Sequence, residues 1–228
     1  MKSVISLVMS LILACSVYAQ KDVTTFLGIP VDGFKTEMKK KLIAKGFTPT
    51  RQAGQNFLKG EFNGVDVRLF IATNNNKVYR IMVADANMQD EANIKIRFNN
   101  LVNQFKNNKR YTYFDDFELS DSEDISYEMT VHNKTYDAVF YQNPNMAKVD
   151  TTALQEQTRK ELLKEFSEEQ LNNPTEEVKE SIQKRAISMG IEMMTKKVVW
   201  FRICQLYGQY YITMFYDNEY NHANGEDL

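Results

Sequence analysis

The chain has 228 residues, 28 of them basic and 30 acidic, for a formal charge of −2 at pH 7. So even a balance argues against a nucleic-acid partner, which usually selects for a basic face. Two cysteines exclude a disulfide framework, and nine glycines leave few positions where backbone could cradle a phosphate.

The first 19 residues have the layout of an export signal. Lys2 supplies the positive end, Val4 to Ala14 is apolar almost throughout, and Val17-Tyr18-Ala19 places small or modest side chains before a cleavage point at Ala19-Gln20. That run is too short to span a bilayer, which takes about 20 residues. A second reading competes at the same end. Ile12-Leu13-Ala14-Cys15 resembles a loose lipobox, in which Cys15 is acylated and tethers the chain to a membrane face. Ordinary cleavage leaves 209 residues with 27 basic and 30 acidic side chains, a balance of −3, because Lys2 is the leader's only charge. The expected location is the periplasm, the cell envelope or the outside of a bacterium, with no transmembrane span in the mature chain.

Residues 20–228 read as one α+β domain, an antiparallel sheet of hairpins with helices packed on one face. A first helix follows Asp32-Gly33, with Met38, Leu42 and Ile43 on one face, and Gly46 ends it in the left-handed position. A meander comes next. Phe57–Phe62 and Val65–Thr73 turn at Asn63-Gly64, a strong hairpin signal, and Asn74-Asn75-Asn76 leads into Val78–Ala86, with Tyr79, Ile81 and Val83 on one face. From about 88 to 107 the spacing is helical, with Ile94, Phe98, Leu101, Val102 and Phe105 in one stripe. The alternation in Ile125–Val131 and Thr135–Gln142 predicts a second hairpin, turning at His132-Asn133-Lys134. Helix followed by strands, twice, points to two tandem units, 20–86 and 87–228.

The block at about 150–197 has ten acids and eight bases and no strand-like alternation. It predicts an inserted helical hairpin. Leu154, Leu162, Leu163 and Phe166 lie on the first helix, and Val178, Ile182, Ala186, Met189 and Met193 on a second that starts near Pro174. Val198–Leu206 and Gln209–Asp217 form a last hairpin at Tyr207-Gly208, before a polar, frayed tail from Asn218.

Signatures of catalysis and cofactors are missing from the sequence. It has no G-x-S-x-G, no phosphate loop and no dinucleotide fingerprint, and neither His132 nor His222 has metal-ligand spacing. No catalytic residue, metal ligand or cofactor is therefore assigned. Six acids between Asp115 and Asp124 would suit a cation or a hydrolase in composition, but they lack the order of a calcium loop, and a solvated connection explains them as well. Cys204 lies in an apolar run where a buried, inert thiol is expected. The aromatic last hairpin is the place to seek a partner, protein or glycan, through Trp200, Tyr207, Tyr210 and Tyr211.

Phe26-Leu27-Gly28-Ile29-Pro30-Val31-Asp32-Gly33, with Glu37-Met38 and Lys45-Gly46-Phe47, resembles the opening of uncharacterised exported proteins of gut Bacteroidetes. The resemblance implies export and no particular activity. Helix before meander is also similar to the β-lactamase inhibitor proteins and the small outer-membrane-assembly lipoproteins, which carry two helices there where one is evident here.

Overall fold

The computed structural model describes residues 22–144 and 151–222. The export signal, Cys15 and both cleavage points lie outside them, as do the side chains of Leu154, Ala186, Met189 and Met193. The fold is α+β, and the chain divides into two compact units, Val23–Gln142 with Lys197–Leu228, and Met1–Asp22 with Asn143–Lys196.

The first unit is built on an antiparallel sheet. Two short strands, β1 (Thr25–Phe26) and β2 (Ile29–Pro30), precede helix α1 (Lys35–Ala44). Strands β3 (Thr48–Gln52), β4 (Gln55–Phe62), β5 (Val65–Asn74) and β6 (Lys77–Asp85) then form a meander. Helix α2 (Glu91–Lys106), β7 (Tyr111–Thr112), helix α3 (Ile125–Val131), β8 (Asp137–Gln142), β9 (Val198–Leu206) and β10 (Gln209–Asp217) complete it. The eight long-sheet strands run in the order β3-β4-β5-β6-β10-β9-β8-β7, so each half has its own helix before its strands and β6 meets β10 at the centre.

Local signals explain most of these elements. Asp90 caps α2 by accepting from the Asn93 amide at 2.9 Å, and the five predicted stripe residues are all buried. In α1, Met38 and Leu42 are buried, whereas Ile43 is 41% exposed. Asn63 and Gly64 both have positive φ, the requirement of a two-residue hairpin loop. Gly60 is fixed by space, since a Cβ there would come within 2.7 Å of the Phe47 ring. One core joins the two halves on the helix side of the sheet, where Phe105, Phe140 and Phe201 stack in sequence at 4.7 and 6.0 Å.

Three expectations need correction. Ile125–Val131 is helix, not strand. Asp124 caps it by accepting from the Tyr127 amide at 2.8 Å, and Glu91 of α2 accepts from the Ile125 amide at 3.0 Å. Asn133, at φ 53°, follows the helix end and does not turn a hairpin. In β6 a bulge opposite Ala72 and Thr73 puts Val78 into the core, fully buried, and frees Tyr79 to meet the His222 ring at 4.5 Å. Finally, the start of the tail is pinned. Asn218 is fully buried and donates to the Val31 carbonyl at 2.7 Å, and Asn221 donates to Asp32 at 2.7 Å and to the Val78 carbonyl at 2.8 Å.

The second unit contains helices α4 (Thr151–Leu162), α5 (Glu168–Asn172) and α6 (Glu176–Thr195). Ser167 and Gln170 form a reciprocal cap that starts α5, an element absent from the sequence reading. Thr175 accepts from the Val178 amide at the start of α6, two residues later than the Pro174 start expected. Arg159 pairs with Glu168 at 3.1 Å, linking α4 to α5, and Arg185 with Glu165 at 3.3 Å, linking α6 to the turn between them. Among the described residues, no helix is long and apolar enough to cross a membrane.

Candidate functional site

Alternation splits the β9–β10 hairpin into two faces. Val199, Phe201, Ile203, Tyr210, Ile212, Met214 and Tyr216 enter the core, and Trp200, Arg202, Cys204, Tyr211, Phe215 and Asp217 point the other way. The four aromatic candidates are therefore dispersed. Tyr210 is 2% exposed, its hydroxyl accepting from Gln205 at 3.2 Å. Trp200 and Tyr211 share the opposite face. Trp200 is paired with Phe215 and Tyr211 with Cys204, two ladder positions four residues apart, or about 13 Å along the strands. Tyr207 stands at the tip and is 95% exposed.

The opposite face is organised around Trp200, whose ring stacks on Phe215 at 3.9 Å with 16° between planes. Its indole N–H donates to Asp217 at 2.9 Å, and the same carboxylate receives Arg80 through two bonds of 2.6 and 2.7 Å. Arg80 lies 5.0 Å from the Phe215 centroid, and Arg202 lies 5.1 Å from that of Trp200 while pairing bidentately with Asp137. Hydrogen bonding to Asp217 raises the Arg80 pKa, and hydrogen bonding to Asp137 raises that of Arg202. Burial raises that of Tyr211. Both guanidiniums are thus fixed cations over aromatic rings. The role of Asp217 is invisible in sequence, since its partner Arg80 is 137 positions away.

Tyr207 combines a left-handed backbone with a large side chain in solvent. It has φ 51° and Gly208 has φ 73°. Bulky residues seldom adopt this left-handed region, whereas Asn does so readily. Equivalent turns use Asn at Asn63-Gly64 and Asn75-Asn76, Leu27 (φ 50°) before Gly28 and Ala53 (φ 49°) before Gly54, so what sets Tyr207 apart is its exposure of 95%, against 38% for Leu27.

The other candidates resolve into structural roles. Lys106 binds Asp116 at 2.7 Å and Glu118 at 3.0 Å, and the Lys106 contact holds the Asp116 carboxyl below its ordinary range. Glu123 accepts from Lys134 and, at 2.5 Å, from the Tyr136 hydroxyl; Lys134 is the larger cause of its lowered pKa. With Asp124 capping α3, four of the six acids of that stretch have assigned partners. Cys204 is half-buried and its thiol donates to Thr213 at 3.6 Å. Among the described residues, one trio could bring metal-ligand atoms within 4.8 Å of one another, namely Asp217, Glu219 and His222. Its buried member, Asp217, already receives Arg80 and Trp200, so the trio belongs to that ion-pair network.

In comparisons with known proteins, no family model, no curated protein and no solved structure matches this α+β chain.

Proposed function

We propose that the chain is an exported protein of the bacterial envelope that binds a protein or glycan partner through the β9–β10 hairpin. Tyr207 is the exposed anchor, and Trp200 with its two arginines lies on the hairpin's outer face about 23 Å back along β9, stacked on the buried Phe215. The observation that carries this reading is the conformation of Tyr207, a bulky side chain held in the left-handed region and 95% exposed. A side chain so exposed adds no core packing. Asn at the same position would relieve about 1 kcal/mol of backbone strain. A rigid, solvated tyrosine is, however, the residue type that anchors interfaces and stacks on sugars. Export rests on Lys2, the apolar run from Val4 and the Ala19-Gln20 junction.

The test is retention of the mature protein on immobilised envelope proteins and on a glycan array, with Tyr207→Asn as comparator. The wild type should be retained and the variant weakened by about tenfold or more, without loss of fold. Equal retention of the two proteins would contradict the proposal.

A further inference from the structure

We infer that the outward face of α2 is a second, separate binding site, for an uncharged oligosaccharide. Two depressions of about 660 and 310 Å³ lie along that helix and share Asn100 and Gln104. Five of the six residues lining the larger one are amides: Asn100, Asn103, Gln104, Asn107 and Asn108, with Lys109 the sixth. The smaller one extends the amide surface through Asn93 and Gln89 to Asn63, whose amide donates to Gln104 at 2.8 Å. Asn93 to Asn107 spans about 21 Å at 1.5 Å per residue, the scale of an oligosaccharide chain and not of a single sugar.

The charged side chains of α2 are turned to other tasks. Lys95 donates to the Asp121 and Glu123 carbonyls, Arg97 makes two 2.6 Å bonds to Asp85, Lys106 holds Asp116 and Glu118, and Glu91 caps α3. The one charged residue the helix brings to the grooves is Arg97, which lines the smaller depression with its guanidinium paired to Asp85, and the rest of what it offers is neutral. An amide group carries two donors and an acceptor with two lone pairs, which matches pairs of hydroxyls and gives no advantage to an ion. Ile96, 60% exposed and lining the smaller depression, adds an apolar surface for the C–H side of a sugar ring.

Some of these amides serve the fold, since Asn63 donates to Gln104, Asn93 donates to Asp90 and Asn108 accepts from the Arg110 amide, but three along the helix do not. Asn is a poor residue for a helix interior because its side chain competes for backbone bonds. Asn99 has a structural use, exchanging two bonds with the Leu119 backbone at 2.8 and 2.9 Å. The side chains of Asn100, Asn103 and Asn107 make no hydrogen bond to any described residue.

The full mature chain should be applied to an array of neutral oligosaccharides and their uronate- or sulfate-bearing counterparts, beside the double variant Asn100→Ala/Asn103→Ala and the single variant Tyr207→Asn. The expected result is retention on neutral members, weakened about tenfold or more in the double variant. The double variant should melt no lower than the wild type, since Ala is the better helix residue. Three results would overturn the inference: no neutral glycan retained, anionic glycans preferred, or the double variant binding as the wild type does. Loss confined to Tyr207→Asn would also overturn it, and would assign glycan binding to the hairpin.

Discussion

The turns Asn63-Gly64 and Tyr207-Gly208 have nearly the same backbone, φ 54° and 77° in one and 51° and 73° in the other. Asn63 suits its turn twice over. Asn tolerates the left-handed region, and its amide reaches across to Gln104. Tyr207 suits its turn in neither way, being strained in backbone and almost wholly solvated in side chain. Leu27 and Ala53 take the same conformation before Gly28 and Gly54, so the turn alone does not choose its residue; what is particular to Tyr207 is a large ring held almost wholly in solvent, where no core packing accounts for it. The exposed helix faces repeat the lesson. The face of α6 carries ordinary pairs such as Glu176–Lys179 at 2.5 Å, whereas that of α2 carries Asn100, Asn103 and Asn107, whose side chains make no hydrogen bond to any described residue.

The comparison has limits that mutation should expose, and the largest lies beneath the second hairpin. Phe201 is fully buried among Phe98, Phe105 and Phe140, so Phe201→Ala should remove about 3–5 kcal/mol of stability, seen as a large fall in the denaturant midpoint. A small effect there would mean that the hairpin is not anchored as described. Next comes the exchange of turn residues. Asn63→Tyr should cost about 1–2 kcal/mol, combining left-handed strain with loss of the Gln104 bond. If it is neutral, strain at Tyr207 is no argument either.

The smallest effect concerns acid. The folded pKa of Glu123 is depressed chiefly by Lys134, so its stabilisation is present above the unfolded carboxyl value, about pH 4.3, and is lost as pH falls through the lower folded value. Glu123→Gln should therefore flatten the fall in melting temperature below that pH and lower the melting temperature slightly at neutrality. An unchanged acid profile would remove Glu123 from the account.

How much of this was legible in sequence depended on distance along the chain. Asn63-Gly64, Gly46 and the Ile94–Phe105 stripe were readable because turn chemistry and helical spacing act within a few residues. Ile125–Val131 misled because its alternation suits a strand, while the groups that make it a helix are a cap at Asp124 and an acceptor 34 residues earlier, Glu91. The Asp217 site was hidden for the same reason. Other features follow from the sequence by periodicity alone. Strand parity already separates Tyr210 from Tyr211, and Asn93, Asn100, Asn103 and Asn107 already fall opposite the core stripe of α2.

The central claim is that Tyr207 stands at its tip for a reason other than folding. Equilibrium urea unfolding of Tyr207→Asn beside the wild type tests it most directly. The strained conformation predicts a midpoint raised by the equivalent of about 1 kcal/mol, at an unchanged denaturant slope. A midpoint equal to or below that of the wild type would show that the tyrosine serves the fold, and would contradict the account.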